Sequence, residues 1–235
     1  MAGKKQRGFP MNKPTEIRKP IIAIDASISS PAFAIFDPNS GSTEIYCLTS
    51  KYSKPLYIEQ GKIQLNIAPQ KELYIKKPED DFLRYMQVVT ALCDCLNHKT
   101  NYIEGCQVYL EGYSFASTGM TFNIGEFGGL LKGNLYQKKH ILNIVPPGTW
   151  KKAIVGKGNA KKDQIYEFCL QSDEFKPILE DLKVNYGIVW KKSHWIEDVC
   201  DVWCLLEYAI DQEVLPIASD MHKAYGDLTR FYTEV

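Results

Sequence analysis

The chain has 235 residues, of which 45% are hydrophobic and 24% charged, with 28 basic side chains against 28 acidic ones. A length and composition of this kind can bury a core without staples, and they exclude collagenous and disordered classes. No apolar run reaches membrane-spanning length, and a net charge of zero says nothing about a polyanionic partner, so the distribution of charge matters instead.

The N-terminal segment, residues 1–20, carries a basic run from residue 4 to 19 with only Glu16 against it, and lacks the apolar stretch of a signal peptide. It reads as a basic arm ahead of one domain spanning 21–235. Ile21 to Asp25 is a short apolar run ending in an acid, as expected of a buried central strand. Ala32 to Asp37 and Ser42 to Thr49 give two more strands around the turn Asn39-Ser40-Gly41, which makes an antiparallel meander. Residues 50–78 alternate at Ile63, Leu65 and Ile67, the pattern of an extra hairpin. Glu79-Asp80-Asp81 opens a helix in which Phe82, Tyr85, Met86, Val89, Leu92, Cys93 and Leu96 keep helical spacing.

Gln107 to Glu111 is a second short apolar strand ending in an acid. A glycine-rich stretch and a helix to about Lys139 follow, with Gly125, Gly128, Gly129 and Gly133 expected to line a close-packing face. Ile141 to Val145 is the last strand. Thr149–Val155 and Lys161–Leu170 read as helices joined by the turn from Gly156 to Asn159, 172–193 reads as an insertion or loop, and Trp195–Ile210 as a strongly apolar final helix. Strands and helices in this order imply an α/β fold, a mixed sheet flanked by helices.

Seven cysteines, none in a CxxC pair, read as reduced thiols in the core, which points to a reducing, cytoplasmic compartment. Charge is uneven along the chain. From Leu130 to Lys162 there are eight lysines and no Asp or Glu, a pattern that suits either a polyanion-binding surface or a solvated face.

Four acids stand out by position. Asp25 and Glu111 end apolar strands, and Asp198 and Asp201 lie three residues apart on one face of the final helix. Acids embedded in apolar surroundings are costly unless paired or bound to metal. Three elements each delivering a carboxylate suggest one shared cation site, and oxygen-only ligands favour Mg²⁺ or Mn²⁺ over zinc. Two such ions about 3.5–4 Å apart can cleave a phosphodiester. Spacing alone leaves open that these acids are caps, turn residues and exposed helix positions. Neither Gly125–Gly133 nor Gly156-Lys157-Gly158 matches a nucleotide-binding fingerprint.

These residues carry a resemblance. Ile24-Asp-Ala-Ser-Ile-Ser-Ser-Pro-Ala-Phe-Ala-Ile-Phe36 resembles the first motif of RuvC-like Holliday junction resolvases, especially phage-type ones, within the RNase H-like superfamily. Val108-Tyr-Leu-Glu-Gly112 resembles their second acidic strand. Trp150-Lys-Lys-Ala-Ile-Val-Gly-Lys-Gly-Asn-Ala-Lys-Lys-Asp-Gln-Ile165 resembles their lysine and glycine segment, and Ile196-Glu-Asp-Val-Cys-Asp-Val-Trp203 their closing helix. The four blocks follow the family's order over roughly residues 21–210.

The resemblance implies an RNase H-like fold with a mixed five-stranded sheet, and a homodimer that nicks four-way DNA junctions in pairs with two Mg²⁺ or Mn²⁺ ions per site. It places this activity in the cytoplasm, that of the host cell if the chain is phage-encoded. Asp25, Glu111, Asp198 and Asp201 carry over as metal-binding catalytic carboxylates, with Glu197 as an adjacent acid, and Lys151 and Lys162 carry over as catalytic lysines. Lys152, Lys157 and Lys161 are expected on DNA phosphates. The resemblance also puts the helix from Asn123 to Lys139 at the dimer interface, with Phe127, Leu130, Leu131 and Leu135 supplying apolar burial.

The chain departs from the family in having Ala26-Ser27 and Ser30-Pro31 where the first motif has glycines. Tyr113 and Phe115 flank the place of the bacterial family's junction-wedging Phe, and either can stack on an unpaired base or pack inside. Segments 50–78 and 172–193 have no counterpart. The carboxylate set is equally compatible with other branched DNA or RNA–DNA hybrids, and a non-catalytic DNA-binding module is the remaining alternative.

Overall fold

A computed structural model describes residues 18–28, 30–49, 54–69, 81–101, 103–112, 121–190 and 195–225, without the side chains of 121–122 and 214–225. Seven strands form one sheet: β1 (Ile21–Asp25), β2 (Ala32–Asp37), β3 (Ser42–Thr49), β4 (Leu56–Gln60), β5 (Ile63–Pro69), β6 (Gln107–Glu111) and β7 (Ile141–Val145). Their order is β4-β5-β3-β2-β1-β6-β7. β1, β2 and β3 run antiparallel as the expected meander, and β6 and β7 continue parallel to β1. The portion β3-β2-β1-β6-β7 is the mixed five-stranded sheet expected from the sequence, three antiparallel strands continued by two parallel ones. The alternation at Ile63, Leu65 and Ile67 produces the hairpin β4–β5, which adds two strands beyond β3.

Both sheet faces are covered, so the central strands are apolar on both sides. Because side chains alternate along a strand, Ile22, Ile24, Phe33 and Ile35 face one layer, where they meet α1 (Asp81–Lys99) and α2 (Thr121–Gln137). Ile21, Ala23, Ala34 and Ile45 face the other. There they meet α3 (Pro147–Ile154), α4 (Lys162–Gln171), α5 (Lys176–Tyr186) and the long α6 (Trp195–Tyr225). All seven cysteines are free thiols, six of them buried.

The structure departs from the sequence-based expectation in two places. Within 172–193, residues 176–186 form a helix, not a loop. Phe175, Ile178, Leu179 and Leu182 make a buried stripe, and Gly187 ends the helix at φ 63°, a backbone region glycine enters without strain. The second correction concerns α2, which contains the glycines within its helical run. Phe127, Leu131 and Leu135 are 0%, 0% and 2% exposed inside this chain's own core against α1, so they cannot supply burial to a second copy. Among the described residues, nothing lies within 4 Å of where a Cβ would stand on Gly125, Gly129 or Gly133, so these glycines do not pack closely against the described part of the chain. Among the described residues no helix is long and apolar enough to cross a membrane.

Candidate active site

Strand register brings the first two acids together. On β1 the side chains of Ile21, Ala23 and Asp25 share one face, and on β6 those of Gln107, Tyr109 and Glu111 do the same. Ile21, Ala23 and Tyr109 all belong to the core layer beneath α6. β1 and β6 are parallel neighbours with Ile24 opposite Leu110, so Asp25 and Glu111 emerge side by side one residue further on. This is the carboxyl end of the parallel strands, where open α/β sheets present their ligand sites. The N-terminal turns of α6 cross this end and carry Asp198 and Asp201.

Four carboxylates thus meet from three elements, and Asp25 feels the charges of the other three. Asp25, 7% exposed, has its carboxyl raised well above its ordinary range by burial and by repulsion from Glu111, Asp198 and Asp201. Burial and Asp201 raise Glu111, against a hydrogen bond from Trp150 and the charges of Lys151 and Lys162. Asp198 is pushed by burial from 3.8 up to about 6, although the Ser30 hydroxyl and Lys162 pull it down. Glu197, next to Asp198, adds to that repulsion and is half-buried.

Lys162 is the compensating cation. It opens α4, its Nζ donates to Asp201 Oδ2, and it lies 3.9 Å from Asp198 Oδ1. Burial works against its charge, but Asp201, Asp25 and Asp198 outweigh that and hold the ammonium above its ordinary range. Lys151 on α3 stands over the Trp150 ring, 5.3 Å from its centroid, close enough to Glu111 to favour that carboxylate.

Lys152, Lys157 and Lys161 are exposed on α3 and on the turn leading to Lys162. That turn is tight, and a Cβ on Gly158 would lie 3.0 Å from the Gly148 carbonyl oxygen. The basic segment read from the sequence is therefore divided. Lys138 and Lys139 lie at the opposite end of the sheet, where Lys139 pairs with Glu104 at 2.6 Å. Tyr113 and Phe115 lie outside the described residues.

Two contacts carry no sequence signal of their own. Ser30, between β1 and β2, donates its hydroxyl to Asp198 Oδ2, and Trp150 donates its indole N–H to Glu111 Oε1 at 3.1 Å. Both donors are buried.

The cluster suits a hard divalent cation in its chemistry, since among the described residues four carboxylates meet one inserted lysine and offer only oxygen donors. Among the described residues Asp201 Oδ1 is buried without a hydrogen-bond partner, an atom that a cation would satisfy. Among the described residues no three such side chains stand as a ready-made metal cage, and the ammonium of Lys162 compensates the cluster in its place.

No protein-family model matches the chain, and no curated protein matches it. Among solved structures it is similar to a Thermus thermophilus RuvC structure at 11% identity, over 83% of this chain and 96% of that one, with a TM-score of 0.44. It is also similar to T. thermophilus RuvC in complex with Holliday junction substrate, at 12% identity over the same shares, with a TM-score of 0.46.

Proposed function

We propose that this chain is a divalent-metal-dependent endonuclease that acts on branched DNA and, as a homodimer, resolves four-way junctions by paired nicking. The observation that carries the reading is the convergence of Asp25, Glu111, Asp198 and Asp201 around Lys162, at the carboxyl ends of parallel strands. The ordered motifs 24–36, 108–112, 150–165 and 196–203 support it independently of the geometry.

In this reading the four carboxylates hold Mg²⁺ or Mn²⁺, two ions per site. Such ions polarise a phosphoryl oxygen and lower the pKa of water to make a nucleophile at neutral pH. The chain's own groups do the rest. Lys162 and Lys151 offset negative charge as it builds on the scissile phosphate. Lys152, Lys157 and Lys161 contact backbone phosphates and set the position of the duplex arms. Tyr113 and Phe115 are the candidates for stacking on an unpaired base at the branch. A four-way junction presents two like strands related by an approximate two-fold axis, which a dimer with one site per subunit matches.

The test is cleavage in Mg²⁺ of a synthetic four-way junction, a linear duplex and an RNA–DNA hybrid, with sedimentation run in parallel. Preference for the junction, symmetric nicks on opposed strands and a sedimenting dimer are expected. Preference for the hybrid would move the chain to an RNase H-like activity. A monomer even with junction present would remove paired resolution and leave a single-strand nuclease. No cleavage of any substrate would leave only a DNA-binding module.

A further inference from the structure

Ser30 is 2% exposed in the connection between β1 and β2, and its hydroxyl reaches a carboxylate 168 residues away on α6. Its backbone is fixed on two sides. The Ser30 N–H donates to Ser27 Oγ at 3.3 Å, and the carbonyl of the following Pro31 accepts from Leu48 N–H at 3.0 Å. Trp150 is 0% exposed, and its N–H, which can only donate, ends on Glu111 Oε1.

These two donors differ in kind from Lys162. They are neutral, so they orient a carboxylate without cancelling its charge, whereas the ammonium of Lys162 competes for the same oxygens that a cation needs. Each also engages one oxygen of its carboxylate. Groups that orient metal ligands in this way matter nearly as much as the ligands, and losing one typically costs about 10–100-fold in metal affinity or activity.

We propose that Ser30 and Trp150 are positioning residues for the cation site: each pins one oxygen of a carboxylate, Asp198 and Glu111 respectively, and presents the other to the divalent ion. The assignment rests on the nuclease reading above.

The experiment is Mn²⁺ titration of the full chain without DNA, with free ion followed by electron paramagnetic resonance and thermal unfolding measured on each variant. Ser30→Ala is expected to weaken Mn²⁺ binding about ten-fold or more, while Ser30→Thr, which keeps the hydroxyl, retains it. Trp150→Phe keeps a buried ring, loses the N–H, and is expected to act in the same direction, which also carries the test should Ser30→Ala not fold. Folded Ser30→Ala and Trp150→Phe proteins that bind Mn²⁺ as wild type does would overturn the proposal. Equal losses in Ser30→Ala and Ser30→Thr would also overturn it, by placing the effect in packing. A wild type that binds no Mn²⁺ at millimolar concentration would overturn the metal reading itself and this assignment with it.

Discussion

A carboxylate in apolar surroundings is costly to ionise unless an opposite charge lies close, and at this site that charge is the ammonium of Lys162, which pulls against the burial and mutual repulsion that raise Asp25, Glu111 and Asp198. Asp25 is the most burdened of them, lying under α6 with the other three acids against it. Asp25→Asn keeps the shape and removes the charge. It is expected to abolish cleavage, with the loss read in single-turnover assays, while junction binding in a gel-shift assay stays near wild type. Asp198 makes a statement about pH. Its carboxyl is raised from 3.8 to about 6 in the native chain, so between roughly 4 and 6 the native state holds a proton the unfolded state has released. The group therefore costs the metal-free protein stability as pH rises through that window. Asp198→Asn is expected to be more stable than wild type above pH 6 and to lose the advantage below about pH 4, in urea unfolding without divalent ions. An advantage that does not change with pH would contradict this. Strand-end acids and the Asp198–Asp201 spacing were legible in the sequence because an acid bounding an apolar run is itself a pattern. Ser30 and Trp150 were not, since a serine in a turn and a tryptophan on a helix have ordinary uses and only the folded register shows which acid each one meets.

Elements differ in how much of their role a local pattern exposes. β1, β2, β3, β6 and β7 begin and end at the residues expected, because alternation and turn chemistry act over a few residues. α5 escaped notice although Phe175, Ile178, Leu179 and Leu182 keep helical spacing, because charged residues interrupt the stripe and mask its one buried face. α2 misled in the other direction. Its apolar positions are those of an amphipathic helix, and no local pattern says whether that face meets its own sheet or a second copy. Their burial against α1 places Leu131 in the core. Leu131→Ala is accordingly expected to cost about 2–5 kcal/mol in chemical unfolding and to leave the association state unchanged. A variant that dissociates with wild-type stability would restore the interface role.

Across the whole molecule, a chain of zero net charge presents its acidic cluster and the exposed Lys152, Lys157 and Lys161 on neighbouring elements of one sheet end. That arrangement, more than total charge, is what a phosphate backbone would meet. If Lys157 and Lys161 each make a phosphate contact, replacing both by Gln is expected to flatten the dependence of log affinity on log salt by about two units, since each contact releases condensed counterions. An unchanged slope would put them on a solvated face, as Lys139 already is through its pairing with Glu104. Whether Asp25, Glu111, Asp198 and Asp201 form one divalent-cation site is tested most directly by anomalous diffraction from crystals soaked in Mn²⁺. Anomalous density among these four carboxylates is expected, with Lys162 drawn away from Asp201. Density confined to other surfaces, or none at millimolar Mn²⁺ with Lys162 still on Asp201, would contradict it.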